Sequence, residues 1–160
     1  MAPETSKLDV PARLKDVELI ERVLRPKIAG EALDDDVAHL FHYADLYSAT
    51  PEELVVDHPR GPRNNWYFLS HEHYRGGRKL LRRHHHGGWW RPCTRMEVVG
   101  DNGLVGYRRY NFYMVNKVKT KWVMIEYSVP QDQQEEGEEM VLCKMRKYGR
   151  HSRRVRARTV

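Results

Sequence analysis

The sequence predicts an α+β fold, a twisted antiparallel β-sheet flanked by a few short helices, on three observations. Helical spacing and helix-capping residues are confined to the part of the chain ahead of Gly61-Pro62. After that point come short aromatic or β-branched runs separated by Gly, Asn and charged turns, the pattern of antiparallel strands. The composition, 40% hydrophobic with four Trp and nine Tyr in 160 residues, supplies a real core for one domain. Helices first and a sheet after them is α+β organisation.

Taken in order, residues 1–7 read as a flexible lead-in, 8–148 as the folded domain and 149–160 as a basic tail. Asp16 to Leu24 has apolar residues at 17, 20 and 24, with 19 and 23 alongside, and acids in its first turn, where the helix dipole favours them. Pro26 and Gly30 are expected to stop this helix. Asp34-Asp35-Asp36 predicts a cap for a second short helix, Val37 to Phe41. At Thr50-Pro51-Glu52-Glu53 a capping box and a first-turn proline predict a third. Five strand-like runs follow: Trp66–Leu69, Met96–Val99, Tyr107–Val115, Lys121–Val129 and Met140–Met145, with a hairpin signal at Gly100-Asp101-Asn102-Gly103. Asp132 to Glu139 carries five acids and reads as a surface loop. From Lys144 to Arg158 eight cations occur without an acid, the composition of an exposed tail.

Charge and cysteine usage narrow the function classes. The formal charge is +6 and the pI about 9.4, favouring an anionic partner. Two cysteines make no disulfide framework, and no run approaches a membrane span of about 18 apolar residues, so a cytosolic or nuclear protein is expected, with no membrane partner. His71, His73, His84, His85, His86 and Cys93 invite a zinc reading. Zinc needs four convergent ligands, however, and adjacent side chains of an extended run point to opposite faces. An exposed polar loop with titrating rings fits better, and neither metal nor cofactor is expected. Cys93 near His86, among arginines that lower a thiol's pKa, is the one nucleophile worth weighing. With no Gly-x-Ser-x-Gly, P-loop or dinucleotide fingerprint, catalysis is not expected.

Nucleic acid is the partner the residues suit best. Between Arg78 and Arg95 lie six cationic side chains (Arg78, Lys79, Arg82, Arg83, Arg91, Arg95) and no acid, with Trp89-Trp90 among them. Such a run presents charge to phosphates and a few side chains to base edges. Trp66, Trp90 and Trp122 are expected to pack the sheet core rather than to stack on bases.

Five blocks in order carry a family resemblance: Leu24-Arg25-Pro26-Lys27-Ile28-Ala29-Gly30, Ala44-Asp45-Leu46-Tyr47, Trp66-Tyr67-Phe68-Leu69-Ser70, Lys119 to Tyr127 (KTKWVMIEY) and Val141-Leu142-Cys143-Lys144-Met145. Together they resemble the NAC domain, the plant-specific DNA-binding domain of NAC transcription factors. The resemblance implies a twisted antiparallel sheet without zinc, dimeric through its N-terminal segment. It also implies a contact strand that enters the major groove of duplex DNA at sites with a CGT core. The family's WKATG motif reads here Trp90-Arg91-Pro92-Cys93-Thr94, so Pro92 is expected to restrict that strand to an edge. The basic loop before Lys119 is about three residues shorter than the family's.

What the resemblance implies for residues is a DNA face of Arg82, Arg83, Arg91, Thr94, Arg95, Lys119 and Lys121. The dimer contact it implies is Leu8, Arg13, Leu14 and Glu18, with Arg13 of one subunit meeting Glu18 of the other. The expectation is a nuclear regulator that binds DNA as a homodimer or as a heterodimer with another NAC protein. With no long activation region after the last block, site occupancy or sequestration is the expected mode. The alternative is a protein-interaction module that keeps the fold and has lost specific DNA reading.

Overall fold

The computed structural model describes residues 14–46, 49–75, 78–79, 88–130 and 138–149. Its first element, α1, is one helical run made of an α-turn Asp16–Glu18, a π-helical stretch Leu19–Leu24 and an α-helical end Arg25–Ile28. Pro26 does not stop it, contrary to the expectation above. In an α-register the proline ring would meet the carbonyl four residues back and leave it without a donor. The wider π-register, in which the Arg25 N–H donates to the Ile20 carbonyl, relieves that crowding. Gly30 then ends the run. Its φ is +78°, the Gly30 N–H donates to the Lys27 carbonyl at 3.1 Å, and the Glu31 N–H reaches the Pro26 carbonyl at 2.8 Å, a Schellman close.

The second helix, α2 (Asp35–Ala38), is shorter than the sequence predicts. Phe41 leaves it to begin a strand, β1 (Phe41–Tyr43), paired in parallel with β2 (Trp66–Arg75). The third, α3 (Pro51–Asp57), has the capping box as expected: the Glu53 N–H donates to Thr50 Oγ1 at 3.2 Å and the Thr50 N–H to Glu53 Oε1 at 3.0 Å.

The remaining strands are β3 (Arg78–Lys79), β4 (Gly88–Pro92), β5 (Met96–Gly100), β6 (Gly103–Val115), β7 (Val118–Ser128) and β8 (Glu138–Lys147). The sheet order is β1-β2-β8-β7-β6-β4, with β3 on β2 and β5 on β6. Every pairing except the β1–β2 contact is antiparallel, so the sheet-rich α+β expectation holds with one short parallel edge added. Glu138 and Glu139 belong to β8 rather than to the acidic loop, whose residues 131–137 lie outside the described set. Lys144 to Lys147 are strand residues too, not tail; 150–160 fall outside the described residues.

Each face of the sheet carries its own core. On one, Leu19, Ile20, Val23 and Leu24 of α1 pack on Tyr67, Leu69, Tyr127 and Leu142. On the other, Leu46 and Leu54 cover Phe68, Trp90, Trp122, Met124 and Cys143. Alternation along the strands produces this split, since Tyr67 and Phe68, or Leu142 and Cys143, point to opposite sides. α1 is tied down by polar contacts as well. Asp16 forms an ion pair with Arg108 and accepts the Tyr127 hydroxyl at 2.7 Å, and Arg25 Nη2 donates to the Val105 carbonyl at 2.7 Å. Burial and the neighbouring Asp16 carboxylate push the Tyr127 phenol well above its ordinary range.

Candidate nucleic-acid interface

β4 is an edge strand, paired only with β6 among the described residues. Its side chains alternate. Trp90 is 2% exposed and meets Tyr113 edge-on, 5.1 Å between centroids, which sends Arg91 to the other face, exposed. Gly88 is required beneath Tyr113, because a Cβ there would run into the phenol oxygen. Pro92 sits opposite Asn111 on this edge, the position where a missing N–H costs least. The Cys93 N–H donates to the Tyr110 carbonyl at 2.8 Å, so the chain stays against β6 through the break before β5. In that break Thr94 is exposed and the Arg95 guanidinium lies 3.9 Å from the Tyr107 ring centroid.

Register carries Arg91 into a row across the sheet. Arg91 opposes Phe112, Phe112 opposes Val123, and Val123 opposes Arg146. Directly opposed residues share a face, so both ends of the row are cationic and its centre is apolar. Lys119 Nζ sits 3.9 Å from the Phe112 ring centroid on the same side. Next to it β7 bulges: the register passes from Phe112–Val123 to Met114–Lys119, setting Thr120, Lys121 and Trp122 against Tyr113 alone. Thr120 holds the bulge. Its hydroxyl donates to the Tyr113 carbonyl at 2.7 Å and accepts the Trp122 N–H at 3.2 Å. The indole N–H of Trp122 donates to Glu52 Oε1 at 2.8 Å. The shortened basic loop is a two-residue turn, Asn116-Lys117, with φ of 51° and 64°, the signature of a type I′ hairpin.

Of the predicted DNA face, Arg91, Lys119 and Lys121 therefore come to one end of the sheet, Thr94 and Arg95 lie further along β6 beside Tyr107 and Arg108, and Arg82 and Arg83 lie outside the described residues. Of the predicted dimer contact, Leu8 and Arg13 also lie outside. Leu14 is 8% exposed and packs in its own chain's first core, and Glu18 Oε1 accepts the Lys15 N–H at 3.4 Å. His71 is exposed, and His84–His86 and the His73 side chain are outside the described set. Among the described residues no group of three or more His, Cys, Asp or Glu is arranged to hold a metal ion. None of the described helices is long and apolar enough to cross a membrane.

Sequence reading missed Arg146 and Lys147 as members of this end. The signal was present, since Cys143 and Met145 alternate with Lys144 and Arg146 as a half-buried strand does. Half-buried Lys144, on the Arg146 side, has its ammonium pushed below the usual lysine range by burial, against the pull of Asp16 and with Arg146, Arg108 and Arg63 adding to it.

Comparison with known proteins decides the family. A family model described as No apical meristem (NAM) protein matches residues 10–129. The chain belongs to that family. It is similar to NAC domain-containing protein 76 of Arabidopsis thaliana, 34% identical over 141 residues, covering 81% of this chain and 36% of that protein. It is also similar to NAC domain-containing protein 37 of the same plant, 34% identical over 141 residues, 81% of this chain and 37% of the relative. The chain thus spans about a third of the length of the curated relatives it matches.

Within the NAM family frame, the blocks that carry the resemblance are structural. Arg25 ties α1 to the sheet, Leu46 and Phe68 are core, Thr120 shapes the bulge, and Tyr127 clamps Asp16.

Proposed function

We propose that this protein is a sequence-specific duplex-DNA-binding transcription regulator of the NAC type, acting in the nucleus as a homodimer or paired with another NAC chain. The observation that carries the reading is the β4 edge. There Arg91 projects from a strand anchored by the buried Trp90, beside Lys119 and Lys121 of β7, and these three form no ion pair among the described residues. An edge strand can enter a major groove about 12 Å wide without breaking sheet hydrogen bonds, and exposed cations gain most from a polyanion. Arg91, Arg95, Lys119 and Lys121 take phosphates, with Arg82 and Arg83 from the adjoining segment, and Arg91 and Thr94 reach base edges. Leu8, Val10 and Arg13 carry the two-fold contact, with Glu18 receiving Arg13 of the second subunit. The step this domain itself performs is occupancy of the site. Equilibrium binding to a CGT-core duplex and to a scrambled one at physiological salt tests this, with a preference of about 10³ or more expected.

A second reading has one observation in its favour. Pro92 and Cys93 stand where the NAC pattern has small, donor-bearing residues, and Arg95 is already stacked on Tyr107. A module that keeps the fold for protein pairing alone would bind both duplexes equally and weakly, and would still associate with a NAC chain. The same titration separates the two.

A further inference from the structure

β8 pairs with β7 only as far as Lys147 opposite Trp122, and the Tyr148 N–H, donating to the Lys121 carbonyl at 2.9 Å, closes the ladder. β7 runs on to its turn, and the space that β8 leaves beside it is a half-open cavity of about 690 Å³. Lys119, Lys121 and Lys147 stand around it, with Phe112, Trp122 and Tyr148 as apolar lining. The volume is that of a small-ligand cleft, about 300–1,000 Å³. Two of the three ammonium groups are held in place by aromatic rings: Lys119 lies 3.9 Å from the Phe112 centroid and Lys147 5.3 Å from that of Trp122. Glu52 is the single acid in the lining, and its carboxylate is engaged by the Trp122 indole N–H.

Three cations against one occupied acid, over aromatic rings, is the chemistry of a phosphate ester, with charge for the phosphate and apolar surface for the sugar. We propose that this cavity seats a phosphodiester of the bound duplex, so that Lys147 is a DNA-binding residue alongside Lys119 and Lys121. The proposal rests on the DNA reading above. Duplex DNA is favoured over a free nucleotide because the cavity shares Phe112 and Val123 with the cross-strand row that begins at Arg91. From β4 to β8 is three strand spacings, about 14 Å. Lys147 opposes Trp122 and so stands on the face away from Arg91, and the cavity joins the two faces around the end of β8, taking Phe112 and Val123 from one and Trp122 and Lys147 from the other.

The test is a salt titration of binding to a CGT-core duplex by wild type, Lys147→Met, Arg146→Met and Arg91→Ala. Methionine keeps a flexible apolar stem on Trp122 while removing the charge, and an unchanged thermal midpoint confirms the fold. Lys147→Met is expected to lower the slope of log K against log salt by about one and affinity several-fold, and Arg146→Met, which is outside the cavity lining, to do less. If Lys147→Met matches wild type, or only equals Arg146→Met, while Arg91→Ala weakens binding, the cavity proposal is overturned and the DNA reading stands. If wild type itself shows no duplex binding, both fall. Lys147-dependent binding of a mononucleotide with duplex affinity unaffected would also overturn the cavity proposal.

Discussion

The two ends of the sheet handle cations in opposite ways. Under α1, Arg108 is paired with Asp16, Arg25 donates to a backbone carbonyl, and the Tyr127 hydroxyl completes the contact. At the β4–β7 end, Lys119 and Lys147 lie over aromatic rings with no acid bonded to them among the described residues. Positive charge at the first end stabilises the fold; at the second it is held outward and left available. Stability and recognition are therefore separable, and substitutions at the two ends should divide accordingly.

The largest effect should come at the helix-covered end. A Cβ on Gly106 would lie 2.5 Å from the Ser128 carbonyl oxygen and 3.1 Å from Ile20 Cδ1, so neither backbone nor core can yield cheaply. Gly106→Ala is expected to cost ~3 kcal/mol by chemical denaturation. Asp16→Ala, which strips Arg108 and Tyr127 of their partner, is expected to cost ~1–3 kcal/mol. Both should leave the duplex affinity of the folded fraction near wild type. Lost affinity at full folding would break the division.

Arg91→Ala should behave in reverse. Its stability change should stay within about 0.5 kcal/mol, as for exposed side chains outside special features, while the salt slope of duplex binding drops by about one. A destabilised Arg91→Ala would mean that this arginine belongs to the fold.

How much of this was legible in the sequence follows from the same division. The blocks around Arg25, Leu46, Phe68, Trp122 and Tyr127 announced the fold because each is a packing or tethering residue whose chemistry is local to its element. The misreadings arose where tertiary context overrode local signals. Pro26 looked like a stop, but a π-register absorbs it. Phe41 looked helical, but pairing with β2 takes it into a strand. Lys144 to Lys147 looked like tail because charge density hid an alternation of buried Cys143 and Met145 with Lys144 and Arg146. The cavity beside Lys147 was invisible, since it depends on where β8 ends relative to β7.

Titration sharpens the comparison further. Burial, with Glu52 and Glu53 nearby, pushes the Tyr113 phenol up to about 12, above its unfolded 10. A raised folded value means stability that is complete below pH 10 and is lost as pH climbs from 10 through 12. Thermal midpoints should fall over that window, and Tyr113→Phe should flatten part of the fall. On the acid side, burial, His58 and His39 hold His42 below its usual range. That lowered value gives stability present above pH 6.5 and lost as pH drops beneath it, so His42→Gln should show a shallower loss between pH 6.5 and 5.

The smallest effect should be at the hairpin tip. Lys117 holds a left-handed φ of 64° in a turn that favours Asn-Gly. Lys117→Gly is therefore expected to stabilise the fold by about 0.5–1 kcal/mol, read from the denaturation midpoint.

Amide hydrogen exchange with and without a CGT-core duplex tests the division most directly. New protection is expected over residues 88–92 and 118–122 on binding, with exchange over Asp16–Ile28 unchanged. Protection on the helix with none on the β4 edge or the β7 bulge would contradict the account.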